Sequence, residues 1–78
     1  MFKDHYRTVC STLAHNLITL RNRHALSKRA MAQILGISVY SLRVLEQGER
    51  LPDVDVGVLI RAATHFRVSV DDLLESRL

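Results

Sequence analysis

Cysteine, proline, glycine and aromatic side chains are all scarce in this 78-residue chain, which has one Cys, one Pro, three Gly, two Tyr, two Phe and no Trp. A lone cysteine, Cys10, closes no internal disulfide, so the expected compartment is the reducing cytoplasm. So little Gly and Pro argues against a low-complexity or disordered chain. No stretch approaches the roughly 18 to 20 consecutive apolar residues that span a bilayer; the run 54–60 is broken by Asp55 and Gly57. Nothing near Met1 joins a basic start to a long apolar run and a small-residue cleavage site, so neither leader nor membrane anchor is expected. The length fits one small domain over residues 1–78, with little room for a deep substrate cavity, and an enzyme is not expected.

What the chain does have is apolar side chains, at 47% of the residues, and an excess of positive charge, with 11 Lys and Arg against 8 Asp and Glu. The charge is unevenly placed. Up to Leu51 eight cations face three anions, and from Pro52 onward three cations face five anions. A basic first half suits a polyanionic partner, and an acidic second half suits something else, such as a second subunit.

Helical periodicity recurs along the chain and no strand pattern competes with it. Over 3–23 the apolar residues Tyr6, Val9, Cys10, Leu13, Leu17 and Leu20 follow spacings of three and four, predicting one long N-terminal helix over 1–23. Residues 27–35 begin with Ser27 as an N-cap, turn Met31, Ala32 and Leu35 to one side, and stop at Gly36. Ser38 caps a third helix over 39–47, with Leu42 and Leu45 inward and Gly48 at its end. After a loop holding Pro52, Asp55 is expected to cap a helix to Phe66 with Val56, Leu59, Ile60, Ala63 and Phe66 facing in. Ser69 and Asp72 resemble a capping box opening a short last helix that turns Val70, Leu73 and Leu74 inward. The expected fold class is therefore all-α, a compact bundle of five helices, with the C-terminal helices in 55–78.

The two short helices joined by Gly36, Ile37 and Ser38 have the makings of a helix-turn-helix over 27–47. In such a unit the first helix braces the second, whose N-terminal residues reach base edges in a major groove about 12 Å wide.

The run Leu26-Ser27-Lys28-Arg29-Ala30-Met31-Ala32-Gln33-Ile34-Leu35-Gly36-Ile37-Ser38, then Leu42, then Leu45-Glu46-Gln47-Gly48-Glu49-Arg50, and finally residues 66–74, resembles the Cro and lambda-repressor type of helix-turn-helix, also called the XRE family. The resemblance covers residues 17–74. It implies a lambda-repressor-like DNA-binding fold that works as a homodimer on a pseudo-palindromic operator in double-stranded DNA, most simply as a repressor, with no cofactor.

The family's roles carry over by position. The resemblance makes Val39, Tyr40, Arg43 and Val44 the base-contacting residues, apolar side chains meeting thymine methyls and Arg43 pairing with guanine. It assigns Ser27, Lys28, Arg29, Ser38, Ser41 and Arg50 to backbone phosphates. Two cations in the first turn of a helix oppose its dipole unless an anion sits there, although plain solvated side chains are the alternative. Gln33 either reaches a phosphate or an edge base, or is an exposed helix former. Arg21 and Glu46 match the family's ion pair, expected to be partly buried and to fix the first helix on the third. The sequence departs from the family in four ways: Lys28 and Arg29 stand where a Gln and an acid are common, the segment 48–54 is enlarged, Arg67 stands where Gly is usual, and the N-terminal helix is long, suited to a dimer interface or to the DNA flank.

No catalytic or metal-binding constellation emerges. His5, His15, His24 and His65 lack metal-ligand spacing with one another or with Cys10, and Ser27, Ser38 and Ser69 are caps before they are nucleophiles. Cys10 lies on the apolar stripe of the first helix, as a small hydrophobe does. The alternative to DNA binding is a protein-interaction module, such as the antitoxin half of a toxin pair, with Val39, Tyr40 and Val44 as its contact patch. Residues Val68, Val70, Leu73, Leu74 and Leu78 serve either a dimer surface or the core of one protomer.

Overall fold

The structure, a computed structural model, describes residues 2–50 and 55–78, with side chains from residue 5 onward. It contains α1 (Phe2–Arg23), α2 (Lys28–Leu35), α3 (Val39–Gln47), α4 (Val56–Phe66) and α5 (Val70–Glu75), and no strand among the described residues. The expected enlargement of the loop after α3 falls largely on residues 51–54, outside the described residues.

Local hydrogen bonds set most helix ends. Three serine hydroxyls accept from backbone N–H groups three residues on: Ser27 from Ala30 at 3.0 Å, Ser38 from Ser41 at 3.0 Å and Ser69 from Asp72 at 2.9 Å. Each satisfies a donor that the first helical turn leaves unpaired. Gly36 and Gly48 end α2 and α3 at φ 71° and 77°, in the left-handed region where a side chain is strained. Arg67 ends α4 in the same region at φ 57°, ψ 47°, without glycine's freedom. Asp55 occupies the N-cap position of α4, but its carboxylate makes no capping bond and lies instead 4.0 Å from Arg61 Nη2.

At 1.5 Å per residue the 22 residues of α1 span about 33 Å, close to the longest dimension of the molecule, 35 Å. It packs against α3 on one side and α5 on another, while α2 packs against α3 and α4. The core collects Leu13, Leu17 and Leu20 of α1, Met31 and Leu35 of α2, Leu42 and Leu45 of α3, Val58, Ala62 and Phe66 of α4, and Leu73 of α5. Burial on α1 begins at Cys10; Tyr6, expected on the inner stripe, is exposed. Among the described residues no helix is long and apolar enough to cross a membrane.

Two inward faces differ from expectation. On α4 the buried residues are Val58, Ala62 and Phe66, with Leu59 and Ala63 half-buried, whereas Val56 and Ile60 are 65% and 52% exposed. Apolar residues surround this helix almost completely, so periodicity alone does not select the face that α2 and α5 cover. On α5 only Leu73 is fully buried, while Val68, Leu74 and Leu78 pack against the core from outside. Leu73 therefore belongs to the protomer's own interior and not to a dimer surface.

Asn16 is a wholly buried polar side chain in the middle of α1. Its amide nitrogen lies 2.8 Å from Leu73 O, 2.6 Å from Ser76 O and 3.2 Å from Asp72 O, and its Oδ1 accepts from Leu78 N at 2.9 Å. One amide thus serves the Leu73 and Ser76 carbonyls, which the end of α5 leaves without helical partners, and shares the Asp72 carbonyl with the Ser76 N–H, which reaches it at 3.1 Å. Arg23 Nη2 adds a bond to Leu78 O at 3.1 Å. Around Phe66, the His65 ring stands edge-on at 4.8 Å and the His24 ring tilts at 5.1 Å, tying the end of α1 to the end of α4.

Candidate nucleic-acid interface

The turn between α2 and α3 is closed by backbone bonds and braced from outside. Gly36 N–H reaches Gln33 O at 3.2 Å and Ile37 N–H reaches Ala32 O at 3.0 Å, so the chain reverses within Gly36, Ile37 and Ser38. Arg61 of α4 then donates from Nε to Leu35 O at 2.8 Å, satisfying a carbonyl at the end of α2. The guanidinium fits because Gly36 and Gly57 carry no Cβ; one built at Gly36 would lie 3.0 Å from Arg61 Nε, and one at Gly57 would lie 3.0 Å from Nη1. Arg61 was not among the residues expected to matter, since its partner lies 26 positions earlier in the chain.

The base of α3 is held by charge. Arg21 Nε donates to Glu46 Oε2 at 2.9 Å and Nη2 to Oε1 at 3.3 Å, a two-point pairing in which the side chains are only 15% and 6% exposed. Arg21 Nη1 also reaches Leu26 O at 3.4 Å, so one guanidinium joins α1, the turn into α2, and α3. Bidentate geometry fixes orientation as well as distance.

With α3 held in this way, its solvent edge is defined. Tyr40 is 69% exposed, and Arg43 and Gln47 are exposed with it at spacings of three and four, forming one stripe. Val44 requires a correction: although it lies beside that stripe it is only 5% exposed, so it offers almost no surface to a base. The reason lies in packing, because α3 touches both α1 and α2 and so buries a wider sector than Leu42 and Leu45 alone would mark. Val39 is half-buried and packs against the core, leaving only part of its surface outward. Gln47 was missed by sequence reasoning, although its position seven residues after Tyr40 is the signal that places it on the same face.

Most of the residues expected to meet phosphates are exposed. Ser27, Lys28 and Arg29 are exposed at the start of α2, Ser38 is exposed and Ser41 half-buried at the start of α3, Gln33 is exposed on α2, and Arg50 is exposed beyond α3. Ser38 Oγ also donates to Ser41 Oγ at 3.1 Å, which orients both hydroxyls at the head of α3. Lys28 and Arg43 come from different helices yet line one open depression of about 360 Å³, together with Ile18, Gln47 and the Arg21–Glu46 pair. Glu46 is already matched by Arg21, so the depression keeps the positive charges of Lys28 and Arg43.

Among known proteins, the family model described as a helix-turn-helix domain matches residues 12–76. Neither the curated proteins nor the solved structures show a significant match to the chain. The matched span runs from the middle of α1 to the end of α5, leaves out residues 1–11 and 77–78, and is consistent with the Cro and lambda-repressor type. Caps, turn and braced third helix all lie inside that span, and the chain belongs to the helix-turn-helix domain family.

Proposed function

We propose that this protein binds double-stranded DNA sequence-specifically and regulates transcription, most simply as a homodimeric repressor that occupies a pseudo-palindromic operator. The observation carrying this proposal is the pair of exposed cations, Lys28 and Arg29, in the first turn of α2, with no ion-pair partner among the described residues. Each opposes the helix dipole at a cost of about 0.3 to 1 kcal/mol, an arrangement that a DNA phosphate at the helix N-terminus reverses. Beside them Tyr40, Arg43 and Gln47 supply a hydroxyl, a guanidinium and an amide, the groups that read base edges in the major groove. Ser27, Ser38, Ser41 and Arg50 are assigned to the flanking phosphates, and Gln33 to the edge of the half-site.

A protein-interaction module is the weaker alternative, because the apolar patch it needs on α3 reduces to Tyr40 once Val44 is buried and Val39 half-buried. Dimerisation is assigned instead to α4, where Val56 and Ile60 lie exposed one turn apart.

Selection of the purified protein on a random duplex library at about 100 mM salt, where nonspecific binding is already weakened, tests the proposal. The expected result is an inverted repeat with half-site centres about 10 to 10.5 bp apart. Failure to enrich any duplex, with binding insensitive to salt, would overturn it.

A further inference from the structure

A further open depression, about 570 Å³, shares no lining residue with that of Lys28 and Arg43 and is lined by Arg7, Ser11, Gly48, Glu49 and Arg50. Arg7 and Ser11 come from the early turns of α1, which precede the span matched by the family model. Arg50 comes from the chain just after α3. Both arginines are exposed, and among the described residues neither makes an ion pair within 4.0 Å. Bringing two guanidinium groups to one concavity costs Coulomb repulsion that Glu49 only partly offsets, leaving the concavity with one net positive charge.

Its place relative to the α3 edge is fixed. The left-handed Gly48 lets the end of α3 approach α1 so closely that a Cβ there would lie 3.3 Å from Ala14 Cβ and 3.4 Å from Ser11 Cα. On α1, Arg7, Ser11 and Ile18 are spaced by four and seven residues and so share one stripe. Ile18 lines the Lys28 and Arg43 depression while Ser11 and Arg7 line this one. On α3 the same succession appears, Gln47 lining the first and Gly48 the second. The two concavities thus follow one another along the seam between α1 and α3, with Ser11 about 10 Å along the helix axis from Ile18.

We propose that Arg7 and Arg50 grip a phosphate of the DNA backbone outside the bases facing α3, with the Ser11 hydroxyl as a further donor, so that the early turns of α1 lengthen the footprint beyond the helix-turn-helix. This rests on the DNA binding proposed above. Guanidinium groups suit a phosphate because they present paired N–H donors to its oxygens. The spacing suits a polymer carrying a charge every few ångströms, which offers phosphates to both concavities at once.

The test is the salt dependence of binding to the most enriched duplex, measured by fluorescence anisotropy for the wild type, Arg7→Gln and Glu49→Gln. Arg7→Gln is expected to lower the slope of log K against log salt by about 0.9 per protomer bound. Its melting temperature should not change, since the side chain is exposed. Glu49→Gln should strengthen binding at low salt, with the advantage fading as salt rises. Trimming the flanking base pairs should erase the difference between wild type and Arg7→Gln. An unchanged slope in Arg7→Gln on the full-length duplex would overturn this inference while leaving DNA binding by the helix-turn-helix intact. If the wild type bound no duplex at all, both would fall together.

Discussion

Replacing Asn16 by alanine removes a buried side chain whose hydrogen bonds tie the middle of α1 to the end of α5 and the last residue. The amide NH2 has two protons and lies within 3.2 Å of three carbonyl oxygens, so it makes about two full bonds, the 3.2 Å contact to Asp72 O sharing a proton with a shorter one. With the bond accepted from Leu78 N, about three net hydrogen bonds are lost. Each contributes about 1 kcal/mol, and a carbonyl left dry costs about 1 to 3 kcal/mol more. Exposure of Ser76 lets water reach part of the vacated site, which limits the second contribution. A loss of about 3 kcal/mol follows, against a total stability of roughly 4 to 12 kcal/mol for a chain of this length. Urea denaturation followed by circular dichroism should show the midpoint falling with the m-value unchanged, and Tm falling by about 12 to 24 °C. Asn16→Asp should be at least as damaging, because it sets a carboxylate against carbonyl oxygens. A loss below about 1 kcal/mol for Asn16→Ala would refute the reasoning, since it would mean that water satisfies the end of α5 as well as the amide does.

Arg67→Gly should stabilise the protein by about 1 kcal/mol in the same denaturation assay, because it relieves a left-handed conformation at φ 57° that costs a side chain about 1 to 2 kcal/mol; a destabilised variant would show that the Arg67 side chain does more than turn the chain. Arg21→Ala should cost about 3 kcal/mol by stranding Glu46, whose side chain is only 6% exposed; a cost under about 1 kcal/mol would place the pair with ordinary surface ion pairs. In DNA binding, Arg43→Ala should relax preference at one base position by about 1 to 3 kcal/mol, while Lys28→Ala should weaken all sequences alike and lower the salt slope by about 0.9 per protomer. Uniform losses in both variants, measured by competition between duplexes, would remove Arg43 from base readout.

The features legible in the sequence are those whose causes sit within one helical turn. Ser27, Ser38 and Ser69 cap the N–H three residues ahead, and Gly36 and Gly48 end their helices in the left-handed region, so helix number and bounds follow from neighbours in the chain. The Arg21–Glu46 pair spans 25 residues, and it was reached through resemblance to a family and not through local chemistry. Locality failed where a helix offers more than one face that could be buried. Val56 and Ile60 on α4 are as apolar as Val58 and Ala62, and Val44 on α3 sits between the stripe that points outward and the one that points inward. Only the directions from which neighbouring helices approach decide such residues.

By itself, then, the sequence determined five helices, the three serine caps, the two glycine ends and the helix-turn-helix they delimit, because each depends on bonds between residues a few positions apart. Tertiary structure alone decided that Val44 is buried, that Arg61 closes the turn onto Leu35, and that Asn16 serves the end of α5. It also brought Arg7 and Arg50 to one concavity. Those outcomes join residues from 26 to 62 positions apart, or turn on which face a neighbouring helix covers. A polar or apolar side chain carries no mark of a partner that only the folded chain brings within reach.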